Sequence, residues 1–569
     1  MKEEILRKKP FLLDDSQVQW VADTIADMTI EEKAGQLFCA NALDCSEQTL
    51  TAIFHVMEPA AVMYRPNTSE DAITATRWLS EHAKAPVLIS GNLEKGGNGM
   101  VHGGTQLSTP MGVAATGDVS FGEKLGTICA AEGGAIGASW AFGPVIDIDY
   151  NWRNPITNTR TFGSDPDTVA AFGAAYVKSL QRKGLAACIK HFPGDGRDER
   201  DQHLCTTVND LDCATWMETY GKVYQRCIDA GALTCMAGQI MQPAWSKRLN
   251  PELKDEDILP ASQSKELIEG LLRGKLGFNG MVCTDATTMA GYLIPGPRSK
   301  MLPMSIAAGV DMVLFNKNLE EDFGFMMDGI RSGIITQERL DDALTRILGV
   351  KAALGLNEKR PMPVPEEVRK VIGCEKHRTW ERDCVDKAIT LVKEEAGVLP
   401  LSPEKTPRIL LYPIDIEFDS AFGGYGVREG IAQEMKRRLE SEGFTVSLYE
   451  VDPGLEGFTK PMHTYTDQYD LCLYLANLAT KSNQTVVRIE WAQPMGANCP
   501  HFINSIPTIF ISLENPYHLA DVPRVKTFIN TYASTDATLN LLVEKLMGRS
   551  TFKGKSPSDP FCGFWDTHL

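Results

Sequence analysis

The sequence predicts an α/β protein in two parts, a TIM-like (β/α)8 barrel followed by a smaller α/β sandwich domain. Its 569 residues exceed what one hydrophobic core organises, so two domains are expected. Over residues 12–360, short β-rich runs alternate with amphipathic stretches, the pattern of a parallel sheet wrapped by helices. Residues 361–385 then mix Pro361, Pro363 and Pro365 with many charges and read as a linker that passes into a helix. The α/β pattern resumes over 386–569.

Eight runs are expected to build the barrel: Gln36–Asn41, Ala60–Arg65, Pro86–Ser90, Ala138–Ile146, Leu185–Lys190, Ala232–Met236, Gly280–Thr284 and Asp311–Phe315. Between the fourth and fifth, Ser164-Asp165-Pro166-Asp167 offers a cap and an N1 proline. Val169, Phe172 and Val177 continue from it at roughly helical spacing. The second domain shows strand candidates Arg408–Tyr412, Thr445–Tyr449, Asp470–Leu475 and Thr508–Ser512, with a helix over Arg428–Glu442.

Composition narrows the function. A formal charge of −17 and a pI near 5.2 oppose a nucleic-acid or anionic-membrane partner. The amino terminus lacks the apolar run of a signal peptide, and the longest uncharged stretch, Gly133–Ile146, is too short and too glycine-rich to span a bilayer. Several of the 14 cysteines fall inside expected strands (Cys39, Cys188, Cys235, Cys283), and no C-x-x-C pair occurs. These features give a cytoplasmic expectation, with no thiol-based zinc or redox site. A homodimer stays open.

In a barrel of this kind, chemistry gathers where strands end. Glu94, Asp147, Asp149, Arg160, Lys190, His191, Asp201, His203 and Asp285 all fall at or just after expected strand ends. Two of them form a candidate acid/base: in an extended or looped backbone Asp201 and His203 project to the same side, so the carboxylate can fix which ring nitrogen carries the proton. Asp285 closes the run Gly280–Thr284 and is a candidate nucleophile, with a helix N-cap as its competing role. Lys190 ends an apolar run, where burial without a partner is costly, so a sugar hydroxyl or a carboxylate is expected beside it.

Three motifs carry a resemblance. Lys190-His191-Phe192-Pro193-Gly194-Asp195-Gly196 with Asp201-Gln202-His203 resembles the K-H-F/I-P-G-x-G-x4-D-S/T-H signature of glycoside hydrolase family 3, in its β-N-acetylglucosaminidase branch. Only Gln202 departs, standing where the motif has Ser or Thr. Gly277–Asp285 is similar to the family's nucleophile strand, and Thr159–Pro166 to its R-S-F-G-x-D-P element. The resemblance implies a retaining exo-β-N-acetylglucosaminidase (a β-hexosaminidase) that hydrolyses terminal β-linked N-acetylhexosamine. Asp285 is then the nucleophile, His203 with Asp201 the acid/base, and Lys190, His191 and Arg160 the residues that bind sugar hydroxyls, with Asp147 a weaker candidate. Asn92 replaces an acid that grips a sugar hydroxyl in relatives, Asp195 stands where relatives frequently have His, and Gln239 replaces another frequent His. The sugar is therefore less constrained than the reaction.

The expected partner is a small carbohydrate, with no nucleic acid, no membrane, no cofactor and no metal. A metal site assembled from His191, Asp201 and His203 lacks a typical zinc-ligand pattern. Phosphorolysis of the same glycoside, a β-glucosidase of the same family, and a sugar-binding protein without turnover are the rivals.

Overall fold

The structure is a computed structural model that describes residues 2–358, 361–415, 430–450, 459–483, 488–491 and 493–569. Two compact units form. The first comprises Met1–Gln106, Gly122–Thr157 and Asp165–Arg378; the second comprises Leu107–Phe121, Asn158–Ser164 and Thr379–Leu569. The sequence expectation drew one cut through 361–385. The contacts instead give two earlier segments to the second unit, and the expected linker carries helices Pro365–Val371 and Glu375–Ala388.

The first unit holds a closed parallel barrel. Its strands are β1 (Phe38–Asn41), β2 (Ala61–Met63), β3 (Leu88–Gly91), β4 (Trp140–Ala141), β5 (Ala186–Phe192), β7 (Thr234–Ala237), β9 (Met281–Ala286) and β10 (Met312–Leu314). They run around the barrel in the order β1-β10-β9-β7-β5-β4-β3-β2. A short parallel pair, β6 (Thr207–Val208) and β8 (Ile240–Met241), lies outside it. All eight expected barrel runs are strands of this barrel.

One of them is much shorter than expected. Ala138–Ile146 gives only Trp140–Ala141 as regular strand, because Pro144 has no N–H to donate to the ladder. Pairing with β5 nevertheless continues past the proline: Cys188 N–H donates to the Gly143 carbonyl at 2.8 Å, and Ile146 N–H to the Lys190 carbonyl at 2.8 Å. That pairing brings Asp147 alongside His191.

The barrel interior is packed. Trp140 Nε1 donates to Thr234 Oγ1 at 2.8 Å, and Cys188 Sγ lies 3.9 Å from Cys283 Sγ. Neither pair comes from neighbouring strands, so both contacts cross the lumen. Burial pushes the Cys39 thiol up to about 12, which keeps it a neutral core side chain.

The second unit is built on a six-stranded sheet, ordered β11 (Thr390–Lys393), β16 (Thr527–Asn530), β15 (Thr508–Ser512), β14 (Leu471–Asn477), β12 (Arg408–Asp415), β13 (Thr445–Leu448). The four expected strands are present, and β11 and β16 join them at one edge, β11 antiparallel. Alternate residues feed two cores: Leu471, Leu473 and Leu475 of β14 face one, Cys472, Tyr474 and Ala476 the other. A helix over Ile431–Ser441 covers the first core; Arg428 and Glu429 of the expected helix lie outside the described residues.

Candidate active site

The carboxyl ends of β5 and β9 and the loop after β4 carry the charged residues of the first unit's site. At the end of β5, Lys190 Nζ pairs with Glu94 Oε1 at 2.7 Å, with the two side chains only 3% and 9% exposed. Glu94 lies beyond β3, two residues after the half-buried Asn92. The ammonium is thus compensated by a carboxylate, as burial requires.

His191 is the centre of a tighter arrangement. Its backbone N–H donates to Asp147 Oδ1 at 3.0 Å, and its ring Nδ1 lies 2.7 Å from Asp147 Oδ2. Asp147 is enclosed and also accepts the N–H of Asp195 at 2.8 Å. Asp147 was expected on the wall that contacts substrate. Its side chain is fully enclosed and bonded to His191. The other ring nitrogen, His191 Nε2, stands 3.8 Å from Asp285 Oδ2.

Asp285 ends the exposed side of β9, with 15% of its side chain accessible. Its Oδ1 accepts the N–H of Ala286 at 2.7 Å, which leaves Oδ2 directed at the imidazole and the opening. The competing role of this residue, a helix N-cap, is not the one it plays: the next helix, Ala290–Leu293, starts after Met289.

The second Asp–His pair belongs to the loop after β5. Asp201 Oδ1 accepts both the backbone N–H of His203 at 2.8 Å and approaches its ring Nδ1 at 2.7 Å. The segment is a turn rather than extended chain, yet the turn achieves the expected pairing. Asp201 is fully enclosed, whereas 27% of the His203 side chain meets solvent. With Nδ1 held by the carboxylate, Nε2 is the ring position left for proton exchange. This loop is bound to the stretch after Asp285: Ala290 N–H donates to the His203 carbonyl at 2.9 Å, and Thr206 Oγ1 to the Gly291 carbonyl at 2.9 Å.

The loop can take this course because Gly196 sits at φ +102°, where a Cβ would stand 1.9 Å from the Ile148 carbonyl oxygen. Asp195 beside it is buried, and desolvation, with Asp147 close by, pushes its carboxyl up to about 8. Lys190, His191, Asp147 and Asp285 are therefore brought into one cluster, with the Asp201–His203 turn docked on the segment that follows the nucleophile candidate. Arg160, at the end of the turn Asn158–Arg160, is one of the residues of the second unit. Sequence reading missed Glu94 as the partner of Lys190, and Asp147 as the partner of His191. Partners 96 and 44 residues apart leave no local signal. Among the described residues, no group of three or more metal-ligating side chains clusters, so the His191, Asp201, His203 trio does not form a site.

The N-terminal domain of glycosyl hydrolase family 3 matches residues 29–350 of this chain. The protein belongs to glycosyl hydrolase family 3. It is a glycoside hydrolase, as the sequence motifs implied. A relative from Cellulomonas fimi, a beta-N-acetylglucosaminidase/beta-glucosidase, is 49% identical over 564 residues, covering 99% of this chain and 100% of its own. The solved structure of beta-glucoside phosphorylase BglX superposes with a TM-score of 0.93 at 45% identity, covering 100% of both chains. A family 3 beta-N-acetylglucosaminidase from Paenibacillus sp. str. FPU-7 shares the fold, with a TM-score of 0.78 at 23% identity over 94% of this chain and 100% of its own.

Proposed function

We propose that this protein is a retaining, exo-acting β-N-acetylglucosaminidase that also accepts terminal β-glucosides, working through a covalent glycosyl-enzyme. The observation that carries the reading is the 2.7 Å Asp201–His203 pair, its imidazole partly open to solvent, tied to the stretch that follows Asp285. An Asp285 carboxylate oxygen attacks the anomeric carbon as the glycosidic bond breaks, and His203 gives its proton to the departing oxygen. In the second half, the same imidazole takes a proton from water as water attacks the anomeric carbon and Asp285 departs. Lys190, His191, Asn92 and Arg160 bind the sugar hydroxyls in this reading. The breadth in sugar is supported by the dual name of the Cellulomonas fimi relative and by uncharged Asn92 where relatives carry an acid.

A second reading keeps the first half and changes the acceptor. An acid/base that is a carboxylate repels incoming phosphate, whereas an imidazole does not, so phosphate can attack the glycosyl-enzyme and leave as a sugar 1-phosphate. The full-length likeness to a protein named a phosphorylase favours it. Product analysis with aryl β-N-acetylglucosaminide and aryl β-glucoside, each with and without phosphate, decides. Free sugar at an unchanged rate in phosphate supports hydrolysis. Turnover that rises with phosphate and yields sugar phosphate supports the second reading, and no turnover on either glycoside overturns both.

A further inference from the structure

Gln202 lies between Asp201 and His203 in the chain, but its side chain is fully buried while His203 is partly exposed. Its Nε2 donates to Asp195 Oδ2 at 3.1 Å, and its Oε1 accepts the backbone N–H of Gln239 at 2.8 Å. Both anchors are themselves fixed. Asp195 Oδ1 accepts from Asn154 Nδ2 at 2.8 Å and from the Gly196 N–H at 2.7 Å, and Gln239 Oε1 accepts the Ser262 hydroxyl at 2.5 Å. One amide is thus held between the loops after β5 and β7, with Asn154 from the loop after β4 bracing Asp195. It also packs over Gly238, where an added Cβ would stand 3.1 Å from Gln202 Oε1 and 3.2 Å from His191 Cβ.

We infer that Gln202 is a positioning residue, a clamp between Asp195 and Gln239 that fixes the Asp201–His203 pair at the barrel mouth. The residue on either side of it is one half of that pair, so any slip of the amide moves both. Ser or Thr, the residue the family motif carries here, is too short to reach Asp195 and the Gln239 N–H together. The long amide and the carboxyl group at 195 therefore operate as a set. The unsatisfied alternative is costly for Asp195, which has three donors and no solvent. Misplacement of an acid/base by about 1 Å costs on the order of 10²-fold in rate.

The inference rests on His203 being the proton donor, and the test separates the two. The full-length Gln202→Met variant keeps the volume and removes both hydrogen bonds. Gln202→Leu likewise removes both hydrogen bonds and serves the same purpose where Met prevents folding. Both are compared with His203→Ala on methyl and on 2,4-dinitrophenyl β-glycosides, together with thermal unfolding. The expected result is a loss in kcat/KM of roughly 10- to 100-fold on the methyl glycoside and under about 3-fold on the activated one, in a folded protein. Equal losses on the two glycosides, or none, while His203→Ala shows the skew, overturn the clamp alone. No skew in His203→Ala overturns the acid/base assignment and the clamp's purpose with it.

Discussion

The first unit carries two Asp–His pairs, and they differ in burial rather than in bond. In each, ring Nδ1 lies 2.7 Å from a fully enclosed carboxylate, and the same Asp also receives the backbone N–H of its own His. The His191 side chain is 4% exposed, that of His203 27%. A carboxylate that fixes a sealed imidazole makes a rigid wall against Asp285. In the proposed reading, a carboxylate that fixes a more open imidazole makes a proton carrier whose second nitrogen meets the leaving group. The contrast teaches that the Asp–His motif alone does not assign a role; the surroundings of the second ring nitrogen do.

The largest expected effect removes what the sealed pair faces. Asp285→Asn should lower turnover by on the order of 10⁴-fold or more, and a 2-deoxy-2-fluoro glycoside should label Asp285 in the wild type, read by peptide mass spectrometry. A label elsewhere breaks the comparison at its root. Next, His203→Ala should cost about 10²- to 10⁴-fold on unactivated glycosides and little on dinitrophenyl ones, with a small change in melting temperature. Asp147→Ala should behave in the opposite way: loss on every glycoside alike, together with destabilisation of about 3–5 kcal/mol, because it leaves the sealed imidazole and two backbone N–H groups without their acceptor. If Asp147→Ala instead spares stability and shows a leaving-group skew, the two pairs have exchanged roles.

The last effect lies away from the chemistry and sharpens the rule about sealed charge. Lys190 has Glu94 beside it, whereas buried Lys351 donates to the neutral amide of Gln36 at 2.7 Å, and burial pushes its ammonium down to about 7. The unfolded chain holds that proton up to its ordinary value near 10.5, while the folded chain sheds it from about 7, so stability grows as pH rises between the two. Lys351→Met should therefore stabilise the protein below pH 7, on the order of a few kcal/mol at about 1.4 kcal/mol per unit, and the gain should fade toward pH 10. A gain that is flat with pH, in unfolding curves taken at pH 6 and pH 10, assigns the effect to packing instead.

Much of this was legible beforehand. The eight barrel runs showed because buried parallel strands are continuous apolar segments. The Asp201–His203 pairing showed because it is local, and Asp285 because it ends such a run. What stayed hidden depends on contacts between distant segments. Strands Thr390–Lys393 and Thr527–Asn530 were not singled out, and they join the sheet by pairing with each other across more than a hundred residues of chain. Pro144 shortened a strand that composition alone presented as continuous, and it is the backbone pairing past it that sets Asp147 beside His191. Gln202 read as a mere departure from a motif until its amide was seen between Asp195 and Gln239.

The seam between β1 and β10, where Phe38 pairs with Val313 and Cys39 with Leu314, has a consequence for biogenesis. A nascent chain emerging from the ribosome exposes the outer rim of β1 until some 275 residues more have been synthesised, and the catalytic floor cannot seal before then. Such an unpartnered rim is an invitation to aggregation. Chains that stop short of Met312 should therefore depend on chaperones for solubility in a way that chains continuing past Phe315 do not.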